Sequence, residues 1–102
     1  MATKNNMRPV SPGEVLWEQL EELEMSANAL ARELLVPTNR ITGILNEERA
    51  LTPDTALRLQ RFFGTSARFW LNLQTNFDLR CAELEADAHI RDIRPRLAAR
   101  AR

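Results

Sequence analysis

Ser26 to Asn46 read SANALARELLVPTNRITGILN, two short amphipathic stretches separated by a proline. Ser26 suits a helix N-cap, its side-chain oxygen placed for an orphan amide of the first turn. Leu30, Ala31 and Leu34 then share one side of a helix of about two turns. Pro37 restricts Val36 to an extended or turn conformation, which stops that helix and leaves a connector of about three residues. A second helix follows from Thr38 to Leu45. Ala31 supplies the small residue needed where the two helices cross, and Leu30, Leu34, Val36, Ile41 and Ile44 take the positions whose burial fixes the crossing angle. The unit is a helix-turn-helix, a compact pair that lays its second helix in a DNA major groove while the first braces against the backbone.

Thr38, Asn39, Arg40, Thr42 and Gly43 are left facing outward. Their chemistry suits base edges: Arg40 for a guanine, Asn39 for an adenine, and Thr38 or Thr42 for a phosphate or a thymine methyl. Gly43 lowers helix propensity by roughly 1 kcal/mol relative to Ala; close approach to DNA and close packing on another helix are both physical compensations. Arg49, just past the second helix, is read as a phosphate contact, with an internal ion pair as the alternative. Ser26 and Asn28 can offer polar groups to phosphate at the start of the first helix, although Ser26 is equally explained as a cap alone.

Outward from this centre the signals stay helical. Ser11-Pro12-Gly13-Glu14 is a helix start, with a cap, a first-turn proline and an acid three residues on. Helix 1 is predicted over Pro12–Leu23 with Leu16, Leu20 and Leu23, and Trp17 beside them, on the core. Thr52-Pro53-Asp54 repeats the start signal for helix 4, whose face combines Ala56, Leu59 and Phe63 with Leu57 and Phe62 before Gly64 ends it. Ser66 opens helix 5, whose stripe of Phe69/Trp70, Leu73, Phe77, Cys81, Leu84 and Ala88 keeps helical spacing for about five turns, longer than so small a core can cover. Part of it is expected to meet a partner. The organisation predicted is an arm over residues 1–10, a five-helix domain over 11–88 with a dimerising fifth helix, and a basic tail over 89–102.

The 102 residues fit one domain. Leu, Ala, Glu and Arg dominate and Tyr is absent, so the fold class is all-α. No apolar run approaches the roughly 18 residues that span a bilayer, and the start MATKNNMRP lacks an apolar signal core; a cytoplasmic protein without a membrane partner is expected. Net charge is zero, but it divides into −3 over residues 1–25, +2 over 26–72 and +1 from 73 onward. A basic middle suits local phosphate contact, and the weak overall field suggests that affinity needs a dimer. Cys81 and His89 stand alone, without partners at ligand or catalytic spacing. No metal, cofactor or enzymatic activity is expected, since there is no paired nucleophile, metal cluster or phosphate-cradling glycine loop.

Three segments carry a family resemblance: MRPxxPGE at Met7–Glu14, TxDTALRL at Thr52–Leu59 and FGTSxxFWLNLQ at Phe63–Gln74. With the intervening LARELLVPTNRITGILNEERAL they lie in the span from Met7 to Gln74, about two-thirds of the chain, which closely resembles the HigA antitoxins of bacterial toxin-antitoxin modules, XRE-type and lambda-repressor-like helix-turn-helix proteins. The resemblance implies a homodimer on a palindromic operator in its own promoter, and a RelE-like, HigB-type mRNA interferase toxin neutralised by complex formation. It places the recognition helix at Thr38 to Asn46, with Thr38, Asn39, Arg40 and Thr42 as readers. Two residues depart from the pattern. Leu35 stands where such turns often have Gly, and Glu47 stands where many relatives have Gly after the recognition helix, putting an acid near the expected DNA backbone.

Phe69, Trp70, Leu73, Phe77 and Leu84 are assigned to core and dimer interface. Paired fifth helices would hold two recognition helices about one DNA turn, roughly 34 Å, apart. Two other readings remain open: a plain repressor without a toxin, and a protein-interaction module whose helix-turn-helix is only scaffold. The acidic face of helix 1, Glu14, Glu18, Glu21 and Glu22, is a candidate for meeting a basic toxin, against the simpler alternative of a solvated surface.

Overall fold

The computed structural model describes residues 9–96, other than the Asp87 side chain. It contains α1 (Pro12–Leu23), α2 (Ala27–Leu34), α3 (Thr38–Leu45), α4 (Pro53–Phe63) and α5 (Ala67–Ile90), with no strand among the described residues. Local chemistry sets the ends. The hydroxyls of Ser11, Ser26 and Ser66 accept from the amides of Glu14 (3.2 Å), Ala29 (3.0 Å) and Phe69 (3.1 Å), and Pro12 and Pro53 occupy the first turns of α1 and α4. Gly64, at φ 86°, ends α4 in the left-handed region.

The connector between α2 and α3 closes through Leu35 at φ 61°, ψ 45°. The Val36 amide returns to the Ala31 carbonyl at 3.0 Å, the 6→1 bond of a Schellman closure. The departure at Leu35 is therefore a departure in residue type and not in backbone geometry: a leucine occupies the conformation that favours glycine. Glu47, at φ 61°, does the same after α3.

The core is built from Leu16 and Leu20 of α1, Leu30, Ala31 and Leu34 of α2, Ile41, Ile44 and Leu45 of α3, Leu51, Ala56 and Leu59 of α4, and Trp70 of α5. The helix-turn-helix spacing is borne out, with Val36 half-buried at its edge. The first and third helices approach so closely at Gly13 that a Cβ there would overlap the Ile44 carbonyl oxygen and lie 3.0 Å from that of Leu45. Gly13 is thus a packing residue as well as part of a helix start.

Several expectations need correction. Leu23 and Trp17, placed on the core face of α1, are 51 % and 49 % exposed, because α1 is covered only along the side it turns to α3 and α5. Leu57 and Phe62 of α4 are also exposed; the buried stripe there is Thr55, Ala56 and Leu59, with Phe63 partly covered. Trp70, assigned to core and dimer interface together, is 0 % exposed, which agrees with the core half of that assignment and corrects the interface half. Its ring lies 6.3 Å from that of Phe63 and 5.4 Å from that of Phe69, so it belongs wholly to this chain's core and has no surface for a second copy.

Among the described residues it is the first half of α5 that packs on the core, through Ala67, Trp70, Leu71 and Leu73, and the Gln74 side-chain carbonyl accepts from the Leu51 amide at 2.7 Å. Beyond Phe77 the helix runs on, with Leu79 and Leu84 exposed. It ends at Ile90, two residues past the expected limit, and residues 91–96 are exposed and irregular. Residues 1–8 of the expected arm and 97–102 of the expected tail lie outside the described residues.

Candidate nucleic-acid interface

By the turn of about 100° per residue of an α-helix, Asn39, Gly43, Asn46 and Thr42 lie on the side of α3 opposite Ile41, Ile44 and Leu45. Asn39 and Asn46 are exposed; Thr42 and Gly43 are half-buried. Thr38 and Arg40 fall on the two flanks of this face, and each is held by a neighbouring helix.

On one flank the Thr38 hydroxyl donates to the Asn28 side-chain carbonyl at 2.7 Å, bringing together two candidate residues from the starts of α2 and α3. Ser26 caps α2 through the Ala29 amide, so its oxygen already has a structural task. Pro37 precedes α3 and offers no side-chain cap, leaving the first turn of that helix without one.

On the other flank the Arg40 guanidinium meets Asp54 of α4, Nη1 to Oδ2, at 2.7 Å. The same carboxylate oxygen accepts from Arg58 Nε at 2.9 Å. Arg58 also donates through Nη1 to the carbonyls of Leu34 (2.7 Å) and Leu35 (3.3 Å), satisfying the C-terminal end of α2. These contacts, Arg58 first and Arg40 second, hold the Asp54 carboxyl below its ordinary 3.8.

Gly43 is covered by the Arg49 side chain: a Cβ there would meet Arg49 Cδ at 3.2 Å and Cβ at 3.3 Å. Neither close helix packing nor open approach describes it; the glycine makes room for the stem of another candidate. Arg49 itself is exposed and enters no ion pair among the described residues. Arg40 and Arg49 line one cleft with Ala50, Thr52, Asp54 and Thr55. Glu47 is turned toward the start of α1, where its Oε2 accepts from the buried Ser11 hydroxyl at 2.7 Å.

The helix-turn-helix family model matches residues 18–70, more than half of the chain. A HigA-family addiction-module antidote from Coxiella burnetii is similar in structure at a TM-score of 0.83 and 51 % identity, over 86 % of this chain and 98 % of that one. The chain belongs to the HigA family of helix-turn-helix antitoxins. The Pseudomonas aeruginosa antitoxin HigA, solved with the higBA promoter, matches this HigA-family chain at a TM-score of 0.84 and 41 % identity, over 88 % of this chain and all of that one. Virulence-associated protein I of Dichelobacter nodosus is 51 % identical over 83 residues, 80 % of this chain and 77 % of that protein. The family is one of regulators and antidotes, not of enzymes. No helix among the described residues is long and apolar enough to cross a membrane.

Sequence reasoning missed the part played by Asp54 and Arg58. The signal was present in part, since an acid and an arginine four residues apart on one helix are neighbours. Their reach to Arg40 and to the α2 carbonyls joins residues far apart in the chain, which no local pattern encodes.

Proposed function

We propose that this chain is the antitoxin and autorepressor of a toxin-antitoxin module. As a homodimer it reads a palindromic operator in its own promoter, and it neutralises a RelE-like, HigB-type mRNA interferase by binding it, both in the cytoplasm. The DNA half rests on one observation: Asn39, Thr42 and Asn46 share the outward face of α3 while Thr38 and Arg40 are held at its flanks by Asn28 and Asp54. Side chains already ordered lose less freedom when they meet base edges. Ser26, Asn28 and Arg49 serve phosphates beside the groove, and Gly43 lets the Arg49 stem lie flat against α3. The P. aeruginosa relative's partnership with promoter DNA supports the same use here.

The second copy docks on α5. Exposed Phe69 and Leu84 and half-buried Leu73 and Phe77 remain as its apolar face once Trp70 is removed from the set. Pro9, Val10, Leu79 and Arg80 line a groove with Leu73 and Phe77 of that face. A monomer with net charge zero has little bulk attraction for DNA, so two reading helices per complex are needed.

A mobility-shift titration on the DNA upstream of the gene tests this reading. The Asn39→Ala, Arg40→Ala double variant is expected to bind at least about 100-fold more weakly, each base contact being worth roughly 1–3 kcal/mol. Unchanged binding would remove α3 as the reading face. Co-expression with a small basic protein encoded next to the gene tests the toxin half, which fails if the two do not co-purify.

A further inference from the structure

The geometry points to Asp54 as a positioning residue for sequence recognition: its carboxylate orients the Arg40 guanidinium and thereby sets which base edge Arg40 meets. This rests on the reading of α3 as the recognition helix.

Asp54 sits in the first turn of α4, on an exposed surface, and one oxygen takes both Arg40 Nη1 and Arg58 Nε. Arg58 is itself fixed, because its Nη1 is bound to the two carbonyls at the end of α2. A chain of hydrogen bonds therefore runs from the α2–α3 turn through Arg58 and Asp54 to the flank of α3. Each link restricts the next, so Arg40 is aimed by the turn that sets the angle of its own helix.

The guanidinium has five N–H donors in a rigid fork. The recorded contact employs Nη1 alone, which leaves donors for the paired acceptors O6 and N7 of a guanine. A long, unheld arginine behaves differently: it finds phosphate oxygens on any sequence. Asp54 also offsets one of the two positive charges that Arg40 and Arg58 bring to this flank, which weakens attraction to the DNA backbone on any sequence and raises the share of directional hydrogen bonding in what Arg40 contributes. Loss of affinity for wrong sequences is one of the two routes to specificity. Exposed ion pairs contribute little to stability, so holding the fold together is a poor account of this one.

The test uses the full 102-residue chain, as parent, Asp54→Asn, Arg40→Ala and the double variant. Fluorescence anisotropy is measured on the upstream operator and on a scrambled duplex over a range of salt. Asp54→Asn keeps size and an acceptor but removes the charge. It is expected to lower the operator-to-scrambled affinity ratio about 10-fold and to steepen the slope of log K against log salt by about 2, one more phosphate engaged by each protomer of the dimer. Both changes should vanish in the Arg40→Ala background. Asp54→Ser, a residue tolerated in a first turn, serves as a second variant with the same expectation, and thermal melts confirm that each variant is folded. A ratio that Asp54→Asn leaves unchanged, or lowers equally without Arg40, overturns the inference while the recognition helix stands. An Arg40→Ala variant that discriminates as well as the parent overturns Arg40 as a reader and this inference with it.

Discussion

Replacing Leu35 by glycine isolates the backbone of the helix-turn-helix from its side chains. At φ 61°, ψ 45° the leucine lies in the left-handed region, where the β-carbon crowds the carbonyl at roughly 1–2 kcal/mol. Glycine avoids that crowding but loses roughly 0.5–1 kcal/mol more backbone entropy on folding. The leucine side chain is 82 % exposed, so little packing is forfeited. The balance favours Leu35→Gly by about 0.5–1 kcal/mol, a rise in Tm of about 2–8 °C for a chain of this size. Calorimetry at one fixed protein concentration measures it, supported by a higher urea midpoint at unchanged m. Leu35→Ala is the control: it removes the same exposed surface but keeps the β-carbon, and no rise is expected. An unchanged or lower Tm for the glycine variant, or an equal rise for the alanine variant, would refute the strain argument. The excess would then have to come from the Leu35 side chain, which borders Phe62 and Arg58 at the surface.

Two glycines should respond differently to a methyl group. Gly13→Ala meets backbone carbonyls of α3 that cannot move aside, and urea unfolding should show a loss of about 1–3 kcal/mol or more. Gly43→Ala meets the flexible stem of Arg49, and the gain of about 1 kcal/mol in helix propensity offsets the displacement, so stability near that of the parent is expected. Acid should weaken the α3–α4 link. The Asp54 carboxyl is held below its ordinary 3.8, so its contribution is present above that value and is lost as pH falls through the lowered one. A carboxyl-carbon NMR titration should place its midpoint below that of an exposed aspartate, and Arg58→Ala should move it upward more than Arg40→Ala, because Arg58 is the larger cause. Absent shifts would show that the contacts do not persist in solution, and equal ones that Arg58 is not the larger cause.

The helix limits were legible because capping is local. Ser11, Ser26, Thr52 and Gly64 act on residues within four positions of themselves, and all four do what their types suggest. Burial was less legible. Periodicity locates an apolar stripe but does not say how much of its width a neighbour covers, and Trp17, Leu23, Leu57 and Phe62 lie on edges that stay open. Gly13 looked like part of a start signal, and its closer constraint comes from Ile44, some thirty residues on. The reading face was visible as a set of residue types. What the sequence did not reveal was that two of its members are held from outside, Thr38 by Asn28 and Arg40 by Asp54.

Among the described residues the long fifth helix is anchored on the core at one end and projects past it at the other, which makes it a lever. From Trp70 to Ile90 its arm measures about 30 Å at 1.5 Å per residue, so a tilt of about 5° at the root displaces the tip by roughly 2.6 Å. In the proposed dimer the spacing of the two reading helices therefore depends on how Phe63, Phe69 and Trp70 stack at the fulcrum, far from any nucleotide. Small changes in those three rings offer a way to retune the preferred distance between operator half-sites while the residues facing the groove stay the same.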